Sequence, residues 1–270
     1  MAAFRHRQAS RYFLVFFLGA LLLWGCGPKQ VPLSGPVRQQ AEQALHKVRA
    51  RKCPLRLDGD LTLRWRFLTR KSTLRAMVQL ASPDRIRLTI ADPLGRPGFI
   101  LVSSDEEFRA VVVPEGKAYV GSTNSQIREQ YLPLALRSKD LFAWLGGGLP
   151  AGRMHLHGIF TQENMAGIWY ELSFEGDENR VRHKILLDTD RSVIRQHLLI
   201  GENGEQLCGV TYSDFRPLGE CLWPFALTLQ SNGPTGEITL RYTRLNPVAD
   251  FPEQTFQLNF PPSFTVERVE

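Results

Sequence analysis

One strongly curved antiparallel β-sheet, an open or nearly closed barrel with helices over its concave face, is the mainly-β fold this sequence predicts. Three observations lead there. Apolar and polar residues alternate along segment after segment, the pattern of strands with one dry and one wet face. The connections are short and carry Gly, Pro and Asn, so successive strands are antiparallel neighbours. No linker interrupts the meander, which favours one large domain over two small ones in a chain of 270 residues. A sheet of that length must curl to protect its apolar face and its edges.

The N-terminus stands apart. Arg5, Arg7 and Arg11 precede an apolar run, Tyr12 to Trp24, about as long as a signal-peptide core and short for a membrane span. The run ends Leu23-Trp24-Gly25-Cys26, which resembles the lipobox of bacterial lipoproteins, although Trp24 is larger than the residue usual there. That resemblance implies a signal peptide over 1–25, lipidation at Cys26, a tether over 26–35 and a barrel domain over 36–270. A plain secretory signal is the alternative. Gly27, a non-aspartate after the cysteine, points to the outer membrane under the enterobacterial sorting rule. Loss of the three leader arginines lowers the formal charge from +6 to +3. That mildly basic balance suits anionic lipid surfaces. It is no nucleic-acid signature, because the arginines are scattered through strands and form no stripe.

Ser34 and Pro36 open a helix over Pro36 to Ala50, where Val37, Ala41, Ala44, Leu45 and Val48 form one apolar stripe. Leu55 to Phe67 is the clearest strand. Its odd positions are apolar or Gly, and five of its even positions are charged, so a slip of one residue would bury five charges. Leu74, Ala76, Val78 and Leu80 repeat the pattern. Arg85 to Ser104 reads as a hairpin around Asp92-Pro93-Leu94-Gly95-Arg96-Pro97-Gly98, with Ile86, Leu88 and Ile90 on its dry side. Leu94 is a bare leucine at the tip of a turn, where polar residues are the norm. It folds back onto the sheet or is meant for something apolar outside. Phe108 to Val113 and Lys117 to Gly121 pair next. Gln126 to Leu132 and Lys139 to Leu145 read as helical insert, ended by Gly146-Gly147-Gly148. Strands return over 153–160, 167–174, 182–188, 193–200, 206–215, 222–230 and 237–242, and Phe256 to Val266 is a last apolar, strand-like piece.

Catalytic signatures are missing from the sequence. It has no phosphate loop, GxSxG, HExxH or CxxC. His155 and His157 share one face of a strand, and His183 and His197 lie on later strands. Solvated strand histidines are expected, with no metal site, since no acidic or thiol partner has supporting spacing. Asp105-Glu106-Glu107 reads as a charged turn. An enzyme is therefore not expected, nor a cofactor. Of the cysteines after Cys26, Cys208 and Cys221 flank a strand-turn-strand and are the better disulfide candidates, leaving Cys53 free; the pairing is open at this level. Trp65, Trp144, Trp169 and Trp223 serve either a filled core or the wall of a ligand groove.

Two segments carry a family resemblance. Arg85-Ile86-Arg87-Leu88-Thr89-Ile90-Ala91-Asp92-Pro93-Leu94-Gly95 is a strand running into a polar-Pro-Leu-Gly turn. Lys139-Asp140-Leu141-Phe142-Ala143-Trp144-Leu145-Gly146-Gly147-Gly148-Leu149-Pro150 is a helix with a tryptophan and a Gly-Leu-Pro end. With the lipobox, first helix and Leu55 strand, these resemble the outer-membrane lipoprotein receptors of the Lol pathway, within the LolA/LolB carrier superfamily, over about residues 26–175. The resemblance implies an open antiparallel barrel with a helical lid. It implies a monomeric protein, anchored by its lipid on the periplasmic side of the outer membrane, that accepts acylated lipoproteins from a soluble periplasmic carrier and inserts them. It makes Leu94 the membrane-inserting residue, and Trp65, Leu132, Leu141, Phe142 and Trp144 candidates for the groove and lid. The C-terminal half is longer than a compact receptor needs. Two other functions suit the same fold: an anchored carrier or envelope sensor for another amphiphile, and a structural lipoprotein that binds a protein partner through its sheet edge.

Overall fold

The structure, a computed structural model, describes residues 29–67, 70–92, 94–104, 107–122, 140–175, 181–231 and 236–269. Cys26, Leu132 and the helix expected over 126–132 lie outside them. The described strands are β1 (Gln30–Pro32), β2 (Arg56–Phe67), β3 (Arg70–Ala81), β4 (Arg85–Ala91), β5 (Pro97–Ser104), β6 (Glu107–Val112), β7 (Lys117–Ser122) and β8 (Met154–Gln162). They continue as β9 (Ile168–Phe174), β10 (Arg182–Asp188), β11 (Val193–Ile200), β12 (Gln206–Leu218), β13 (Cys221–Ser231), β14 (Glu237–Pro247) and β15 (Thr265–Val269). All join one open, curved sheet in the order β1-β8-β9-β10-β11-β12-β13-β14-β2-β3-β4-β5-β6-β7-β15. Sequential hairpins build each half, and the β14–β2 ladder welds the halves together. Each pair is antiparallel except β7–β15, which makes the sheet mixed.

Helix α1 (Gly35–Arg49) lies on the inner face through Ala41, Leu45 and Val48, one stripe at helical spacing. Tyr170 on β9 donates its hydroxyl to the Ala41 carbonyl at 2.8 Å, which fixes the helix on the sheet. Beneath it Leu57, Leu80, Leu172, Ile185, Leu187, Ile194 and Leu199 are fully buried. Gly59 is demanded by the weld: a Cβ there would lie 2.6 Å from the Arg244 carbonyl oxygen, where β14 bulges.

Three expectations change. Part of the tether is an edge strand, because Val31 and Pro32 pair with Thr161 and Phe160 of β8 and an edge tolerates proline. The C-terminal tail is not one strand. It forms a 3₁₀ turn (Glu253–Phe256), crosses the outer face of the sheet, and only then adds β15 beside β7.

The disulfide also differs. Cys53 is bonded to Cys221, with their Cα atoms 5.3 Å apart, and Cys208 is the buried free thiol. Strands β12 and β13 form one antiparallel hairpin with Cys221 at its turn, so Cys208 sits opposite Ser231, at the far end of β13 from Cys221. At about 3.3 Å per residue that separation is on the order of 30 Å, beyond any disulfide. Burial pushes the Cys208 thiol up to about 12.

Candidate functional site

The inner face is apolar, and its burial is graded. Along β2, Leu57 and Leu61 are buried, Leu63 is half-buried and Trp65 is 44% exposed. The same gradient runs from Leu80 to Leu74 on β3, from Ile86 to Ile90 on β4, from Ser103 to Phe99 on β5, from Trp223 to Leu229 on β13 and from Leu245 to Ile238 on β14. The register aligns the open ends: Leu240 faces Leu63, Leu63 faces Leu74, and Ile90 faces Phe99. The result is an apolar groove sealed at one end and open at the other.

The β4–β5 turn projects at the open end. Asp92 organises it: its Oδ1 accepts from the amides of Leu94 and Arg96 at 2.9 Å, and its Oδ2 takes the Arg96 guanidinium at 2.8–2.9 Å. The Arg96 amide first, then its guanidinium and the Leu94 amide, hold the Asp92 carboxyl below the usual carboxylate range. With its backbone bonded in this way, Leu94 stands 77% exposed. Of the two orientations open to a turn leucine, the structure takes the outward one.

Helix α2 (Leu141–Leu145) carries the other predicted residues to a different place. Trp144 is buried and stacks on His197, ring centroids 3.9 Å apart and planes 13° from parallel. Phe142 meets Trp223 edge-on at 5.8 Å. Leu141 is half-buried beside them. Trp65 marks the mouth of the groove, whereas Phe142 and Trp144 pack against β10, β11 and β13. The helix ends in a turn that only glycine allows, because a Cβ on Gly146 would lie 2.7 Å from the Trp223 ring. Arg51 locks that turn by donating to the carbonyls of Leu222, Gly146 and Gly147 at 3.1–3.3 Å, two residues from the Cys53–Cys221 bridge.

His155 and His157 are exposed as expected, but His183 and His197 are not solvated. They are buried with His183 Nδ1 2.7 Å from His197 Nε2. Burial, and then the neighbouring His183, holds His197 well below its ordinary value. Among the described residues no three His, Cys, Asp or Glu side chains group as metal ligands, and no helix is long and apolar enough to cross a membrane. The outer face holds a cavity of about 710 Å³ between β5–β7 and the tail, floored by Val102, Val120 and Leu258, with Arg109 ion-paired to Glu107 in its wall.

The sequence matches no protein-family model and no curated protein. The fold does match solved structures. A LolA superfamily protein from Nitrosomonas europaea superposes with a TM-score of 0.56 at 15% identity, over 81% of this chain and 97% of that one. The chain shares that protein's fold. A domain described as an outer membrane lipoprotein-sorting protein, from Vibrio parahaemolyticus, matches with a TM-score of 0.57 at 11% identity, over 81% of this chain and 95% of that one. A DUF1329 family protein from Desulfovibrio piger reaches 0.60 at 10% identity, over 83% and 98%. At such identities the likeness establishes a shared fold alone and leaves activity to the site.

Most of the groove has no local signal in the sequence. Leu63, Leu74, Phe99, Ile238 and Leu240 carry no motif, and only the aligned registers of five strands bring their open ends together. The buried histidine pair had a signal: both residues occupy core-side positions of strands whose alternate residues are apolar.

Proposed function

We propose that this protein is an outer-membrane lipoprotein, lipidated at Cys26 and facing the periplasm, that receives acyl chains of other lipoproteins into the groove and helps insert them into the membrane. A soluble periplasmic carrier is the donor. The protein acts as a monomer, without catalysis or cofactor. The observation that carries this reading is the graded inner face, open at the end where Leu94 projects. Each buried CH₂ is worth about 0.8 kcal/mol, so complete burial of several acyl chains would prevent release. A half-exposed mouth holds them loosely enough to hand on. With no nucleotide site, direction comes from differences in affinity along the path. Leu94 is the membrane tip in this scheme, and the described function of the Vibrio parahaemolyticus domain is in keeping with it.

The test is transfer of lipoprotein from loaded carrier to liposomes. Wild type should accept and deliver; Leu94→Glu should accept and retain. If wild type does neither, the reading fails. A groove-bound dye displaced by phospholipid as readily as by acylated peptide would instead mark a carrier for another amphiphile.

A further inference from the structure

Four arginines converge on the outer side of β14, β2 and β3, at the end where the groove opens. Arg241 faces Thr62, which faces Arg75; the next row holds Thr239, Arg64 and Thr73; the row beyond places Glu237 opposite Arg66. With strands about 4.8 Å apart and alternate residues about 6.8 Å apart, the four lie within roughly 10 Å by 14 Å. Their charge is poorly compensated. Arg66 pairs with Glu237 at 3.1 Å. Arg241 comes within only 4.0 Å of Asp214, which Arg216 already holds at 2.8 Å. Arg64 and Arg75 are exposed and make no hydrogen bond or ion pair among the described residues. Further along the same face the balance is different: Asp58 and Asp60 both bind Arg244, at 2.8 and 2.7 Å. Positive charge is thus neutralised toward the sealed end and left bare toward the mouth.

We propose that this patch is a binding surface for anionic phospholipid headgroups. The inference rests on the membrane-facing reading of the Leu94 end and names what that membrane must present. Guanidinium forks match phosphate oxygens, and arginines beside an exposed apolar tip place charge at headgroup level while the leucine enters the acyl region. The hairpins β2–β3 and β4–β5 both project at this end, since Arg75 pairs with Ala91 and β3 continues beyond it.

The experiment measures partition of the full chain onto phosphatidylcholine vesicles and onto vesicles of phosphatidylcholine and phosphatidylglycerol at 70:30. Any membrane anchor contributes to both, so the ratio of the two partition coefficients isolates the charge effect. Arg64→Gln with Arg75→Gln should lower that ratio about 25-fold, about five-fold per arginine at a membrane surface. Arg195→Gln with Arg268→Gln removes the same net charge from exposed positions on β11 and β15 and should leave the ratio within about two-fold. Salt should collapse the wild-type ratio between 0.05 and 0.3 M. Arg64→Lys with Arg75→Lys should keep most of it, which guards against a folding artefact. Equal losses from both Gln pairs would reduce the effect to net charge and overturn the site, as would a wild-type ratio of one. If the ratio responds to Arg64 and Arg75 but wild type delivers no lipoprotein, the headgroup site stands and the receptor reading falls. If delivery is normal and the ratio is indifferent to the patch, the reverse holds.

Discussion

Strands β9–β12 and strands β4–β7 share one sheet but seal opposite faces. At β9–β12 the inner face is packed under α1 and α2, with Tyr170, Leu172, Ile185 and Leu199 fully buried. At β4–β5 the inner residues Leu88, Ile90, Phe99 and Leu101 are only half-buried. There the outer face is sealed, because Ile100, Val102, Val111 and Ala118 pack under Phe256, Leu258, Phe260 and Phe264 of the tail. Arg87 and Arg109 tie that tail down by donating to the carbonyls of Thr255, Gln257 and Leu258. A curved sheet can therefore keep a groove open on one side if something else supplies core on the other. The tail stabilises the half that the helices leave open.

Five measurements test whether the two halves differ in this way. Trp144→Ala removes a large side chain from the packed half and should cost about 3–5 kcal/mol in urea unfolding. Cys53→Ser unlinks the α1–β2 connection from β13 and should cost about 2–4 kcal/mol under oxidising conditions, with the wild type falling to the same level on reduction. Leu258→Ala should cost about 2 kcal/mol. Its effect should be local, with hydrogen-exchange protection lost in β5–β7 and kept in β9–β12; uniform loss would mean the halves are not separable.

The fourth concerns pH. The folded state keeps His197 neutral, whereas the unfolded chain takes up a proton below about pH 6.5. Its contribution is therefore complete above that pH and fades as pH falls toward the depressed folded-state value. Stability should drop with a slope of up to about 1.4 kcal/mol per pH unit below 6.5, and His197→Gln should flatten it. Last, Leu94→Glu should change stability by less than about 0.5 kcal/mol, since the side chain touches little. A larger loss would return Leu94 to a structural role.

Local pattern determined much of this protein. Strict alternation places β2, β3 and β4 in register, because a one-residue slip would bury their charges. The stripe of Ala41, Leu45 and Val48 specifies α1, and Asp92 with its proline and glycines specifies the turn that carries Leu94. Phe99, Leu101 and Val102 mark a strand, although nothing in the run names the tail that covers Val102. Only the tertiary structure decided what depends on long-range alignment. Arg241 joins Arg64 and Arg75 because β14 pairs with β2 across most of the chain. Cys53 meets Cys221 because α1 delivers it to the start of β13. His183 meets His197, and Trp144 lies on the pair, because a helix from the middle of the chain packs on its later strands. Periodicity reports which face of a strand is dry; it carries no information about which distant segment keeps it dry.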